Sequence, residues 1–245
     1  MSYYRSTPPR GGWSGGESLG LPSVTPVNKA LMIACGAVWG VQVLLWLFAS
    51  IDLSPLVGLV PVRVVQGWVW QLGTYNFLHS PVLYSHILFN LLMMWMIGGD
   101  LERHWGGRKY LTYWFVCGIG AGVCVTLAGA FRGVTTPTIG ASGAIYGLLL
   151  AYGTIFAERR LLFMLLFPIK AKTMAWILFG IAFISNLTPQ SDRVSHVAHL
   201  GGMVVGWLYL QRVWRIGDFW RGVVGRFRRR RFKVMPQNDD DRWLH

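Results

Sequence analysis

Hydrophobic positions in this chain fall in long runs, not in the one-sided spacing of helices on a soluble domain. The first run covers residues 31–51, long enough at about 1.5 Å per helical residue to cross a hydrocarbon layer roughly 30 Å thick. Further runs at residues 84–98, 110–130, 142–156, 173–187 and 196–213 are each expected to be helical. Residues 52–82 are apolar but interrupted by Pro55, Gly58, Pro61, Gly67 and Gly73, with Trp68 and Trp70 close by. That mixture suits a segment lying in the outer interface. Residues 99–104 read as a polar turn, and residues 161–169, ended by Pro168, Lys170 and Lys172, as a second interfacial piece. The expected fold class is an all-α polytopic membrane protein with six transmembrane helices.

The fourth run differs from the others. It starts at Ser142 and is stopped by Glu158, Arg159 and Arg160, so its helix is about 22 Å long and too short for a full crossing. With its C-terminal end at the inner surface, Ser142 lies below the outer one. Non-helical backbone at that depth, as expected just before Gly140, requires burial in protein or a water-filled cavity.

Composition excludes a soluble globule, since 53% of residues are hydrophobic and only 13% charged. The formal charge of +13 would point to nucleic acid on a soluble protein. Here its distribution matters more. With six spans and an inner N-terminus, 20 of the 23 Lys and Arg fall in inner segments and only Arg63, Arg132 and Arg193 in outer ones. Both termini are therefore expected on the cytoplasmic side, and the Ser142 end of the fourth span and the His199 end of the sixth both face outward at similar depth. Residues 1–27 read as a disordered cytoplasmic tail, residues 28–213 as the six-span domain, and residues 214–245 as a basic cytoplasmic tail. The N-terminal stretch has no apolar core of the signal-peptide kind, so the first run is read as a retained helix. Cys35, Cys117 and Cys124 all sit in apolar runs and read as packing residues.

A serine between glycines is often a helix-packing site, and Gly202-x-x-x-Gly206 is a common helix-contact pattern. An imidazole inside a membrane is costly, however, and defaults to function. His199, one turn before the glycine face and at the depth of Ser142, could serve as a base for that hydroxyl. His86 and Asn90, four residues apart on one face, are neutral donors suited to an oxyanion or, alternatively, to bridging helices. Tyr146, one turn after Ser142, could pack on the imidazole or simply fill space. No acidic residue lies within a span where it could orient His199, which favours a dyad over a triad. There is no His-Glu-x-x-His, and a metal held by His86, His196 and His199 would leave Ser142 and Asn90 without a role; neither metal nor other cofactor is expected.

These residues resemble the rhomboid family of intramembrane serine proteases. The family's Gly-x-Ser-Gly stands here as Gly140-Ala141-Ser142-Gly143, its His-x-x-x-Asn as His86 and Asn90, and its Ala-His-x-x-Gly-x-x-x-Gly as Ala198, His199, Gly202 and Gly206. Phe77-Leu78-His79, and Glu102 with Arg108, resemble the family as well. The resemblance covers residues 28–213 and implies a rhomboid-like bundle with Ser142 as nucleophile, His199 as base and acid, and Tyr146 stacked on His199. It further implies an oxyanion hole from His86, Asn90 and the Ser142 amide. Single-pass transmembrane proteins are the implied substrates, cut near the outer face, with access between spans two and five beneath a cap at residues 188–195. A prokaryotic inner membrane is the implied location. Where the family often carries Trp-Arg the chain has Trp70-Gln71, read as a weaker interfacial anchor. His79 and His196 receive no role. The basic C-terminal tail is expected to meet anionic inner-leaflet lipid rather than nucleic acid. Two other readings remain at this point: a catalytically silent rhomboid-like binder of membrane proteins, and a metal or solute transporter using the histidines.

Overall fold

The computed structural model describes residues 22, 24–163, 167–187 and 196–211. The expected basic tail, the cap at residues 188–195 and nearly all of the N-terminal tail lie outside the described residues. Helix α1 spans Pro26–Ala49. Three short helices follow, α2 (Ser54–Val57), α3 (Pro61–Val65) and α4 (Gln71–Thr74), and then a 3-10 turn, Tyr75–Phe77. Helix α5 (Tyr84–Met93) runs through a π-helical segment (Met94–Gly98) directly into α6 (Gly99–Trp105). Helix α7 is Gly107–Ala130, α8 is Ser142–Ile155, and α9 is Ala171–Leu187. A last helix, α10, occupies residues 196–211.

Helices α1 and α7 are long and apolar enough to cross a membrane, while α8 and α9 are shorter apolar helices. The outside of the molecule is greasy: Phe48, Leu127, Trp176 and Ile184 all face outward. The core lies on α7 and α8, where Trp114, Tyr113, Leu148 and Tyr152 are fully buried. Cys35 and Cys117 are buried and all three cysteines are free, as packing residues would be.

Two expectations need correction. The fold is not purely α, because β1 (Arg160–Phe163) and β2 (Phe167–Lys170) form an antiparallel hairpin with Leu162 opposite Pro168. A segment too short and too interrupted for a helix still has to satisfy its backbone groups, and pairing with itself does so. The polar turn expected at residues 99–104 is helical instead. Its acids are satisfied, Glu102 from outside the segment and Asp100 partly from Arg103 within it, so their charge does not break the helix. Glu102, only 6% exposed, accepts from Thr25 Oγ1, the Val27 amide at 3.0 Å and the Asn28 amide at 2.7 Å. It thereby caps the N-terminus of α1, whose own N-cap residue Thr25 makes no side-chain cap bond. Asp100 accepts from Tyr152 at 2.8 Å and pairs with Arg103 and Arg159, tying α6 to the end of α8.

The π segment has a partner as well. Asn28 Nδ2 donates to the Met94 carbonyl at 2.9 Å, while its Oδ1 accepts from the Tyr110 hydroxyl at 2.8 Å. Gly98 makes room for that amide, since a Cβ there would meet Asn28 Oδ1 at 2.4 Å. A π turn shifts the helical register by one residue and is common beside functional sites. This one begins four residues after Asn90.

Candidate active site

Ser142 is the first residue of α8, and the strand-like backbone before it is pinned in place. Leu59 and Thr138 exchange two backbone bonds of 2.9 and 2.8 Å, and the Gly140 amide donates to the Tyr75 carbonyl at 2.9 Å. Residues 52–82 therefore fold inward at this point as a brace for the nucleophile loop. Gly140 has φ +121°, open only to glycine at low cost, and a Cβ there would lie 2.6 Å from His86 Nε2. Both conditions demand glycine at this position.

His199 sits on the first turn of α10. Its Nε2 lies 2.9 Å from Ser142 Oγ, within hydrogen-bond reach. The Tyr146 ring stacks parallel on the imidazole with centroids 4.2 Å apart. The helices approach backbone to backbone: a Cβ on Gly202 would fall 1.9 Å from the Gly143 carbonyl oxygen. Gly206 lies against the Tyr113 hydroxyl, which donates to the Gly147 carbonyl at 2.9 Å. The small residues of α8 and α10 thus bring a serine and a histidine 57 positions apart into contact.

Ser142, Tyr146, His199, His86 and Asn90 line one cavity of about 570 Å³. The rest of its wall is mostly apolar, with Met93, Met96, Leu149 and Leu178 among the lining side chains. His86 and Asn90 both project toward Gly140 beside the serine. Asn90 is buried, yet its Nδ2 has no partner among the described residues. An unsatisfied buried amide costs on the order of 1–3 kcal/mol, so an acceptor arriving in this cavity would recover that cost. The Ser80 amide reaches His86 Nδ1 at 3.5 Å, a long contact that leaves Nε2 as the nitrogen facing the cavity. No carboxylate among the described residues is bonded to His199.

Several neighbours were given no role in the sequence, and Gln42 went unnoticed there. His79 is fully buried, with its ring 5.1 Å from that of His86 and its backbone amide donating to Gln42 Oε1 on α1 at 2.9 Å. Gln42 is a buried amide in the middle of an apolar run, and that oddity was the available signal. His196 lies 6.1 Å ring to ring from His199, with Nδ1 buried and without a partner among the described residues. Gln71 is not an interfacial anchor, contrary to the expectation for Trp70-Gln71. It is fully buried, accepts from the Val60 amide at 3.0 Å and donates to the Leu56 carbonyl at 3.2 Å, so it closes the 55–71 loop on itself.

The sequence model of the Rhomboid domain matches residues 66–216, a stretch that includes every residue lining the cavity. The chain belongs to the rhomboid family. Among its relatives, the rhomboid protease GlpG of Yersinia pseudotuberculosis is 28% identical over 193 residues, covering 75% of this chain and 61% of that protein. The rhomboid protease GluP of Bacillus subtilis is 28% identical over 144 residues, covering 58% of this chain and 26% of that protein. The chain thus spans less than two thirds of the length of either relative. Rhomboid membership agrees with the lipid-like exterior and makes this an integral membrane protein.

Proposed function

We propose that this rhomboid is an intramembrane serine endopeptidase that cuts single-pass transmembrane proteins near the outer membrane face. The observation that carries the reading is the 2.9 Å approach of Ser142 Oγ to His199 Nε2 at the wall of a cavity that also holds an unpartnered Asn90 amide. The names of the relatives, both rhomboid proteases, support it.

The chemistry follows from the placement. Ser142 Oγ–H donates to His199 Nε2 and loses its proton to it as Oγ attacks the scissile carbonyl carbon. The carbonyl oxygen becomes an oxyanion held by Asn90 Nδ2, by His86 Nε2–H and by the Ser142 amide at the positive end of α8. Collapse breaks the C–N bond, and His199 returns the proton to the leaving amine. A water, deprotonated by the same imidazole, then attacks the acyl ester and frees Ser142. Tyr146 keeps the imidazole in the plane that serves both transfers. A substrate helix has to unwind to offer a carbonyl here, so Gly, Pro or polar residues near the cut favour cleavage.

The remaining architecture belongs to the same proposal: six spans, both termini cytoplasmic, a prokaryotic inner membrane, and a 28–213 catalytic domain between cytoplasmic tails. The distribution of Lys and Arg supports that orientation. Lateral entry between α5 and α9 is part of the reading, while its cap at residues 188–195 lies outside the described residues.

The test is cleavage of a panel of single-pass reporter proteins in liposomes, with labelling by a serine-reactive phosphonate. Wild type should cleave and label, and Ser142→Ala and His199→Ala should do neither while keeping their fold. Cleavage that survives Ser142→Ala would overturn the mechanism, and a silent, unlabelled wild type would overturn the activity.

A further inference from the structure

A second groove lies on another face of α8 and α9, whose residues Leu149, Met174 and Leu178 line the serine cavity while their neighbours Leu150, Ala175 and Phe179 line the groove. It measures about 290 Å³ and is bounded by α8, α9 and α10, with Leu150, Trp176, Phe179, Val204 and Trp207 as its apolar walls and Lys172 at one end. Lys172, Trp176 and Phe179 are spaced i, i+4, i+7 and so form one stripe running down α9 from its first turn. Trp176 is 71% exposed and Trp207 52%, so the walls are open to whatever surrounds the protein.

The charged end of the stripe belongs to a larger cluster. Glu158 pairs with Lys170 at 2.7 Å and also with Lys172. Lys170 stands directly opposite Arg160 in the hairpin ladder, where like charges oppose each other at close range. Two lysines thus hold one exposed carboxylate with Arg160 opposite one of them, and Glu158 is the only acid between residues 158 and 172. Arg159 does not change the balance, because it is engaged with Asp100. Two positive charges remain beside the mouth of an aromatic-walled groove. On the positive-inside orientation this end lies at the inner surface, where Trp and Lys sit at headgroup level.

We propose that this groove binds one anionic diacyl phospholipid of the inner leaflet, its phosphate among Arg160, Lys170 and Lys172 and an acyl chain along Trp176, Phe179 and Trp207. Charge complementarity selects the ligand, since a neutral zwitterionic lipid would leave the excess cations uncompensated. The inference is separate from the serine chemistry, and Ser142→Ala should bind the lipid as wild type does.

The full-length protein is reconstituted in phosphatidylcholine vesicles carrying brominated-chain phosphatidylglycerol or brominated-chain phosphatidylcholine, and the Trp176-dependent quenching is read as the difference from Trp176→Phe. Quenching should appear at several-fold lower mole fraction of the anionic lipid. That preference should fall about fivefold in each of Lys170→Gln and Lys172→Gln, and rise by about the same factor in Glu158→Gln. The gain in Glu158→Gln guards against misfolding, which produces only losses. Equal quenching by the two lipids in wild type overturns the proposal. So does a preference that persists in the Lys170→Gln/Lys172→Gln double variant, which would assign it to the basic tail, and so does displacement by millimolar inorganic phosphate, which would indicate a free-anion site.

Discussion

Around Glu102, the polar side chains that meet where α1 begins all find partners: the carboxylate takes three donors, and Asn28 donates to Met94 and accepts from Tyr110. Around Ser142, polar atoms are left over. Asn90 Nδ2, His79 Nε2 and His196 Nδ1 are all buried without a partner among the described residues, within or beside one cavity. Both clusters place hydrophilic side chains in apolar surroundings, where each unmatched group carries a cost. The matched cluster spends its bonds on holding helices together. The unmatched one keeps donors in reserve for something that arrives later, as a site prepared for a transient oxyanion must.

The contrast can be broken or sharpened in order of expected effect. The largest change should come from Ser142→Ala or His199→Ala, each lowering peptide hydrolysis by roughly 10⁴-fold or more, with the double variant no worse than either single one because the pair acts as a unit. Additive losses would mean that the two groups work independently. Next, Asn90→Ala should reduce kcat about 10²- to 10³-fold, read from initial rates on a reporter, yet cost less than about 1 kcal/mol of stability in detergent unfolding, because its Nδ2 has no partner to lose among the described residues. A large stability loss would show Asn90 to be an ordinary bridge between helices.

Glu102→Ala should behave in the opposite way. It strips charge-assisted bonds from the start of α1 and should destabilise by about 3 kcal/mol, while folded molecules label with phosphonate at the wild-type rate. A normal melting temperature with lost labelling would make Glu102 part of the site. The smallest effect is expected at Asp100. Partial burial raises its pKa, but hydrogen bonds from Tyr152, Arg103 and Arg159 outweigh that and hold it below the ordinary carboxylate value. A lowered folded pKa means that the stabilisation is complete above the unfolded value near about 4 and is lost as pH falls through the folded one. Asp100→Asn should therefore cost no more than about 1 kcal/mol at neutral pH and flatten the acid limb of a stability-versus-pH curve. An unchanged acid limb would remove Asp100 from that role.

Much of the site was legible because membranes make polar residues conspicuous. Ser142, His86, Asn90 and His199 stand out in apolar runs, and the contact of Ser142 with His199 agrees with the similar depth expected for those two residues. The helices themselves followed from the same runs, and observed ends lie within a few residues of expected ones, as with α9 at Ala171–Leu187 against residues 173–187. What stayed hidden depends on partners far along the chain. Residues 99–104 looked like a turn because only Arg103 nearby can neutralise Asp100 and Glu102; their other partners are Arg159, Tyr152 and the start of α1. The π segment and the inward fold of Gln71 are likewise decided by residues that local periodicity does not reach, Asn28 in one case and Val60 in the other. The hairpin was missed because two four-residue strands give too short a pattern to tell from any apolar linker.

The Glu102 clasp also sets an order of events during synthesis. Helix α1 leaves the ribosome before α6, but its Val27 amide is bonded to a side chain 75 positions downstream. Until residue 102 has emerged, that end of α1 has to rely on water or lipid headgroups for its hydrogen bonds. Once Glu102 has emerged, the clasp can close, and α1 is fastened to α6 before the nucleophile and its base exist. The frame is therefore able to set while the reactive half of the protein is still being made.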